Sequence, residues 1–469
     1  MARASSGWGL IAAMWWLSAC GMSAPMSAGG GTGASTGGAL DLNYARATVA
    51  AGHVPEPEAF APEGLFAEHD MPIAGAACTE LFCAQVGAAL APDVAVAAAG
   101  GLETRGYVQV GLASNVDLAA LHRAPLNAAV VIDNSGSMAG GKLDAVKQAA
   151  EALVDKLGPD DLITVVRFDA VSQVLQEPVA VTDREAVKRT ILAIAVGGST
   201  CIECGLREGF SRLASRHGEA RSSRLFLFTD AQPNVGATGE GEFMQLLQTN
   251  GERGIGTTAF GVGLDFGQAL ATKITSVRGA NYAFLDTEDH MRAVFDQDFD
   301  AMVTPVAYDL ELELQPEPGA ALQSVYGVPG GDSTSLKTQV KTVFLSRNHS
   351  AIVARLSAVP PGARLAGLTV RYATPVGAAR QSQADAMAPG GAAPSYSCDG
   401  THLAVTLTRF VVGAREAARL YHGGDFAAAV AEADRVASFM DAEATATGDA
   451  GLRREADFAH ALAAVIANR

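Results

Sequence analysis

Long apolar runs are scarce in this 469-residue chain. The stretch from Gly9 to Leu17 is too short for a bilayer, which needs about 20 residues, and no later stretch reaches that length. Positive charge is also in short supply. Lys and Arg number 34 against 50 Asp and Glu, and the net charge of −16 is spread along the chain, which argues against a nucleic-acid partner. Aromatic residues make up 6% of the chain, which limits any large aromatic binding surface. The nine histidines are scattered without the spacing of a nucleophile–base pair, and a glycine-rich phosphate loop is missing. These absences point away from an enzyme. What is present is ample aliphatic content, enough for two or three cores.

The N-terminus reads as a targeting segment. Arg3 supplies a positive start, the short apolar run follows, and Leu17-Ser18-Ala19-Cys20 closes it. Cys20 in that position resembles the lipobox cysteine of bacterial lipoproteins, the alternative being an ordinary signal peptide with an incidental cysteine. The resemblance implies lipidation of Cys20 and a lipid anchor in the bacterial cell envelope. Gly21, in place of an aspartate, would favour the outer membrane in a proteobacterium. Residues 21–40, rich in Gly, Ser, Ala and Thr, read as a flexible tether.

Five further cysteines remain. An exported compartment is oxidising, and the local pairings are Cys78 with Cys83 and Cys201 with Cys204, leaving Cys398 over. Cys201-Ile202-Glu203-Cys204 also fits a redox-active pair at a helix start, or half of a zinc site, although no second His/Cys cluster lies nearby.

The most informative stretch is Val130-Val131-Ile132-Asp133-Asn134-Ser135-Gly136-Ser137-Met138. A buried type of strand ends at an acid, a polar loop follows, and a helical pattern starts at Lys142, with Leu143, Val146, Ala150, Leu153, Val154 and Leu157 on one face. This is a βα unit of a doubly wound sheet, which binds ligands beyond the carboxyl ends of its strands. Further strands are expected at 127–133, 162–168, 224–229, 256–262 and 282–285, with a short edge strand at 171–175. Helices fall at 142–157, 184–195, 203–215, 241–252, 267–277 and 287–302. Two more loops carry polar groups: Gly197-Gly198-Ser199-Thr200, and Thr229-Asp230 after Leu225-Phe226-Leu227-Phe228.

Asp133, Ser135, Ser137, Thr200 and Asp230 therefore offer five oxygen-bearing side chains, hard donors suited to Mg²⁺. Their order, spacing and flanks resemble the metal-ion-dependent adhesion site of a von Willebrand factor type A domain, and the wider chain resembles bacterial type A lipoproteins. Two departures stand out: the CxxC beside Thr200, and Ala231-Gln232 where an acidic neighbour is common. The resemblance implies Mg²⁺, with Mn²⁺ or Ca²⁺ as alternatives, and a protein partner whose Asp or Glu carboxylate fills the open metal position.

Beyond residue 304 the apolar period changes to two, as in Tyr308-Asp309-Leu310-Glu311-Leu312-Glu313-Leu314. The expected fold is α/β: a doubly wound, mostly parallel sheet inserted in or followed by an antiparallel β domain, with a C-terminal helical region. Expected units are a signal peptide at 1–20, a linker at 21–40, an N-terminal segment at 41–124, the type A domain at 125–303, a sandwich-like domain at 304–375, a flexible loop at 376–400 and helices at 401–469. The strand at 107–112 has no visible partner before residue 127 and is expected to pair beyond residue 305. The functional expectation is an envelope-anchored, metal-dependent protein-binding lipoprotein. The alternatives are a redox-linked envelope protein using Cys201 and Cys204, and a structural envelope protein with a vestigial metal site.

Overall fold

Five buried, mostly apolar strands and one half-exposed edge strand form one sheet in the order Ser172–Ala180, Leu162–Phe168, Leu126–Asp133, Ser222–Thr229, Ile255–Val262, Ala280–Leu285. All neighbours run parallel except the edge strand Ser172–Ala180. The structure is a computed structural model; it describes residues 32–75, 77–93, 103–218, 221–230, 240–264, 268–285, 294–329, 331–357 and 359–468. Helices cover both faces, as the near-continuous apolar strands require. Lys142–Lys156 buries Leu143, Val146, Leu153 and Val154 on one face, and Ile202–Ala214 buries Leu206, Phe210 and Leu213 on the other. The helix expected at 287–302 falls partly outside the described residues; its remainder is a wide turn at Val294–Asp298 followed by Phe299–Met302.

The α/β unit is an insertion. A ten-stranded antiparallel sheet takes strands from both sides of it and folds over into two layers. One layer holds Ala379–Met387, Arg364–Ala373, Pro305–Pro316, Lys337–Ser346 and Thr32–Thr36; the other holds Leu322–Tyr326, Ala351–Leu356, Thr104–Ser114, Cys83–Pro92 and Ser395–Tyr396. Val108, Val110 and Leu112 face Leu310, Leu312, Val340 and Val370 across the shared core. Alternation does the rest: Tyr107, Ala89 and Ala91 point outward into a layer made by the helices Asp399–His422, Phe426–Thr447 and Ala450–Ala467.

Three expectations are corrected. Residues 32–36 are not part of a tether. They form a buried strand between Lys337–Ser346 and Thr104–Ser114, packed so closely that a Cβ on Gly33 would lie 1.9 Å from the Asn348 carbonyl oxygen. Thr104–Ser114 does pair beyond residue 305, with Ala351–Leu356, but it also has an earlier partner, Cys83–Pro92, along nearly its full length. The segment 376–400 is not one mobile loop. Ala379–Met387 forms the edge strand against Arg364–Ala373, its alternating polar residues facing water.

A buried ion cluster ties the N-terminal segment to the last helix. Arg46 Nη2 donates to both carboxylate oxygens of Glu455 at 2.9 Å, and His69 Nε2 and Arg454 Nε reach the same group at 3.1 and 3.0 Å. The Glu455 side chain is 0% exposed.

Candidate metal centre

Asp133 ends the central strand, which is buried along its whole length. From it the chain passes to Leu162–Phe168 on one side, and Ser222–Thr229 lies on the other. That is the switch point of the sheet, where the loops part and leave a crevice. Asp133 Oδ1 accepts from the Ser135 backbone N–H at 2.8 Å, and Oδ2 accepts from Thr229 Oγ1 at 2.7 Å. Burial pushes the Asp133 carboxyl above its ordinary range; the hydrogen bonds from Thr229 and Ser135 oppose this, and the nearby Asp230 charge adds to it.

The other donors follow in a hydrogen-bonded run. Ser135 Oγ lies 3.1 Å from Ser137 Oγ, Ser137 Oγ donates to Asp230 Oδ1 at 2.8 Å, and Lys142 Nζ donates to Asp230 Oδ2 at 2.7 Å. The Gly-Gly loop is stitched to the same rim through backbone atoms. Gly197 N–H donates to Asn134 O and Gly136 N–H to Gly198 O, each at 2.6 Å, and Cys201 N–H donates to Asp169 O at 2.7 Å. A Cβ on Gly197 would lie 2.2 Å from Asp169 Oδ2 and 2.9 Å from Asn134 Nδ2, so only glycine permits this approach. Thr200 sits between these anchors, half-buried.

The structure thus brings Asp133, Ser135, Ser137 and Asp230 into one connected set, and docks the loop carrying Thr200 beside them. The donors are carboxylates and hydroxyls, and no group of three or more His, Cys, Asp or Glu that could hold a metal occurs among the described residues. This all-oxygen composition fits a hard divalent cation such as Mg²⁺ and not a thiolate- or imidazole-loving one. Three supporting residues were not singled out from the sequence: Thr229, Lys142 and Asp169. Thr229 was visible as the residue before Asp230, and Lys142 as the first residue of the helix; nothing local marks Asp169.

Cys78 is joined to Cys83 and Cys201 to Cys204, with Cα separations of 5.7 and 5.3 Å, and Cys398 is free. The Cys201–Cys204 bridge spans the first turn of Ile202–Ala214, next to Thr200. Protein isolated without reductant is expected to resist alkylation at Cys201 and Cys204; mass spectrometry that finds both alkylated would reject a standing disulfide. Cys20 lies outside the described residues.

Residues 128–232 match the family model of the von Willebrand factor type A domain. An uncharacterized protein of Synechocystis sp. is 38% identical over 114 residues, 24% of this chain and 27% of that protein. The uncharacterized protein YfbK of Escherichia coli is 24% identical over 194 residues, 41% of this chain and 34% of that protein. The matched region therefore spans about a third or less of these relatives' own length. A solved structure described as von Willebrand factor type A from Catenulispora acidiphila superposes with a TM-score of 0.53 at 15% identity, covering 80% of this chain and 89% of that one. That likeness shows the fold, and its coverage reaches beyond the α/β sheet.

Proposed function

Proceeding from the von Willebrand factor type A domain that residues 128–232 belong to, we propose that this protein is a metal-dependent protein-binding module held at the bacterial cell envelope. Type A domains mediate protein–protein interactions. The observation that carries the reading here is the connected set Asp133, Ser135, Ser137 and Asp230 at the switch point, with the Thr200 loop stitched to it. Asp133, Ser135, Ser137, Thr200 and Asp230 would hold one Mg²⁺, or Mn²⁺ or Ca²⁺ in its place. When bound, the cation supplies a Lewis-acidic position for an anionic oxygen, and an Asp or Glu carboxylate of a partner protein is the matching ligand. The chain's own part is orientation. Thr229 and the Ser135 N–H fix the Asp133 carboxylate, and Lys142 fixes Asp230. The role is binding, not catalysis. Capture of a partner from envelope extract should require divalent metal and be lost with chelator; retention in chelator would reject the metal-dependent mode. Calorimetry with Mg²⁺ separates this reading from a vestigial site, which would show no heat of binding.

The position of Cys20 supports attachment through a lipid, and no helix among the described residues is long and apolar enough to cross a membrane. Cys20→Ala is expected to move the protein from the membrane fraction to the soluble one. An unchanged membrane fraction would remove the lipid anchor from the proposal. A second reading, a redox-linked envelope protein, draws on the Cys201–Cys204 bridge at a helix start. It requires that the bridge be reduced and re-formed in the envelope, which thiol trapping in cells would reveal.

A further inference from the structure

Arg224 stands near the start of Ser222–Thr229, at the end of the sheet away from the metal rim, six residues or about 20 Å of strand from Asp230. It is 3% exposed. Its guanidinium Nη1 donates to Thr258 Oγ1 at 3.0 Å, and its Cζ lies 5.1 Å from the centre of the Phe344 ring. Its Nε has no hydrogen-bond partner, and no carboxylate pairs with it among the described residues. Two partly buried arginines among the described residues are treated differently: Arg46 faces Glu68 and Glu455, and Arg123 faces Asp161 and Asp300.

An unpaired charge in such a place is costly. The desolvation penalty of a buried ion exceeds what one cation–π contact returns. Loss of the proton does not resolve the imbalance. Burial draws the Arg224 pKa down to about 10, which still leaves the group charged at neutral pH. A counter-ion from outside the chain does resolve it.

The surroundings are shaped for one. Arg224 lines a small cleft of about 270 Å³, including its open mouth, whose enclosed part holds about one water-sized particle. No acidic side chain lines it. Gly251, Gly254, Gly256 and Gly279 line it, so much of the wall is bare backbone. A Cβ on Gly256 would lie 2.8 Å from Arg224 Nη2, and one on Gly251 would lie 2.5 Å from the Arg278 carbonyl oxygen. Ser222 contributes to the wall from the sheet, and Tyr308 closes it from the sandwich. Arg278, stacked over the Tyr308 ring at 4.1 Å and paired with Asp309, adds a second guanidinium beside the same tyrosine.

We propose that this cleft binds one small inorganic anion, a chloride, as the counter-ion of Arg224 at the joint between the type A sheet and the β sandwich. A single-atom anion suits the small enclosed part better than a larger oxyanion. The site is independent of the metal rim and of the function proposed for it. Its effect is on the joint: the anion faces Arg224 on one unit and Tyr308 on the other, so its presence holds the two together.

The test is thermal melting of the full chain, in chelator so that the metal rim is silent, with chloride exchanged for gluconate at constant ionic strength. Wild type should melt a few degrees higher in chloride, saturating with concentration. Arg224→Met should melt at one temperature in both salts, whatever that temperature is. Should Arg224→Met fail to fold, the ³⁵Cl linewidth of wild type decides: broadening reversed by bromide supports the site, and a linewidth equal to that of protein-free buffer overturns it. Identical melting of wild type in the two salts overturns the proposal, as does an equal chloride effect in Arg224→Met. A rise produced by sulfate but not by chloride also overturns it.

Discussion

Replacing Asp133 by alanine is expected to abolish the rise in melting temperature that Mg²⁺ gives the wild-type protein. At a concentration one hundred times the dissociation constant, a bound ligand contributes about 2.7 kcal/mol, or about 5–11 °C for a domain of this size. The variant should show none of it. Its Mg²⁺ affinity should fall by more than about 100-fold, because groups that merely orient a ligand already contribute about 10- to 100-fold. The hydroxyls of Ser135, Ser137 and Thr200 carry no charge to take its place. The fold should survive, since the alanine sits at a strand end and removes little apolar area. Two effects oppose each other in the metal-free state. Thr229 Oγ1 and the Ser135 N–H lose their acceptor, at about 1–3 kcal/mol for each group left unsatisfied. The buried Asp133 charge and its repulsion with Asp230 disappear. Asp133→Asn removes the charge while keeping one acceptor oxygen, enough for the Ser135 N–H, so its difference from Asp133→Ala reports on the first effect. Equal Mg²⁺ stabilisation of wild type and Asp133→Ala in paired melting curves would place the cation elsewhere.

The second large effect is expected at Glu455. Burial alone would raise this carboxyl, but the hydrogen bond with His69 and the charges of Arg46, His69 and Arg454 hold it at about 2, against an ordinary 4.5. A depressed carboxyl stabilises the fold above its unfolded pKa and loses that contribution as pH falls through the folded one. The difference amounts to about 3 kcal/mol, present above about pH 4.5 and gone near pH 2. Urea denaturation at neutral pH should show Glu455→Ala less stable by about 3 kcal/mol, since Arg46 and His69 lose this carboxylate and Arg46 keeps only Glu68. Removing Arg46 as well should recover part of that loss. The variant's stability should also vary less than wild type between pH 5 and pH 3; a parallel pH dependence would assign the acid sensitivity to other carboxylates.

The α/β unit was legible because its signals are local. Val130-Val131-Ile132 and Leu225-Phe226-Leu227-Phe228 are buried on both faces, and such strands read as apolar runs wherever they pair. Of the candidate site, Asp133, Ser135, Ser137 and Asp230 were legible for a like reason, each at or just past a strand end; Thr200 lies between the helices Arg184–Leu192 and Ile202–Ala214 and was marked by its Gly-Gly loop. Lys142 was not recognised as a site residue because its partner, Asp230, lies in a loop from another strand. Thr32-Gly33-Ala34-Ser35-Thr36 was taken for tether, since small polar residues carry no strand signal of their own. It is a strand because Lys337–Ser346 and Thr104–Ser114 leave room for a slim one. Ala379–Met387 escaped notice in the same way: as an edge strand it buries little, and its pattern is polar. Nothing in the sequence could show that Arg224 ends up without an acid beside it, because that depends on which side chains two separate units bring to their joint.

The insertion also sets an order of events during synthesis. Residues 126–285 contain every strand of the parallel sheet, so that unit can close on itself as soon as its last strand has been made. The sandwich cannot. Cys83–Pro92 and Thr104–Ser114 emerge early and can pair with each other, but their apolar face has no opposite layer until Pro305–Pro316 and Lys337–Ser346 have followed. Thr32–Thr36, among the first residues of the sheet, waits for Ser346 through Val343 to complete its place. Such distant pairings are slow to form and leave strand edges open in the meantime. The growing chain therefore carries a finished domain in its middle and an unfinished one around it, and the half-built sandwich is the stretch with the longest exposure to misassembly.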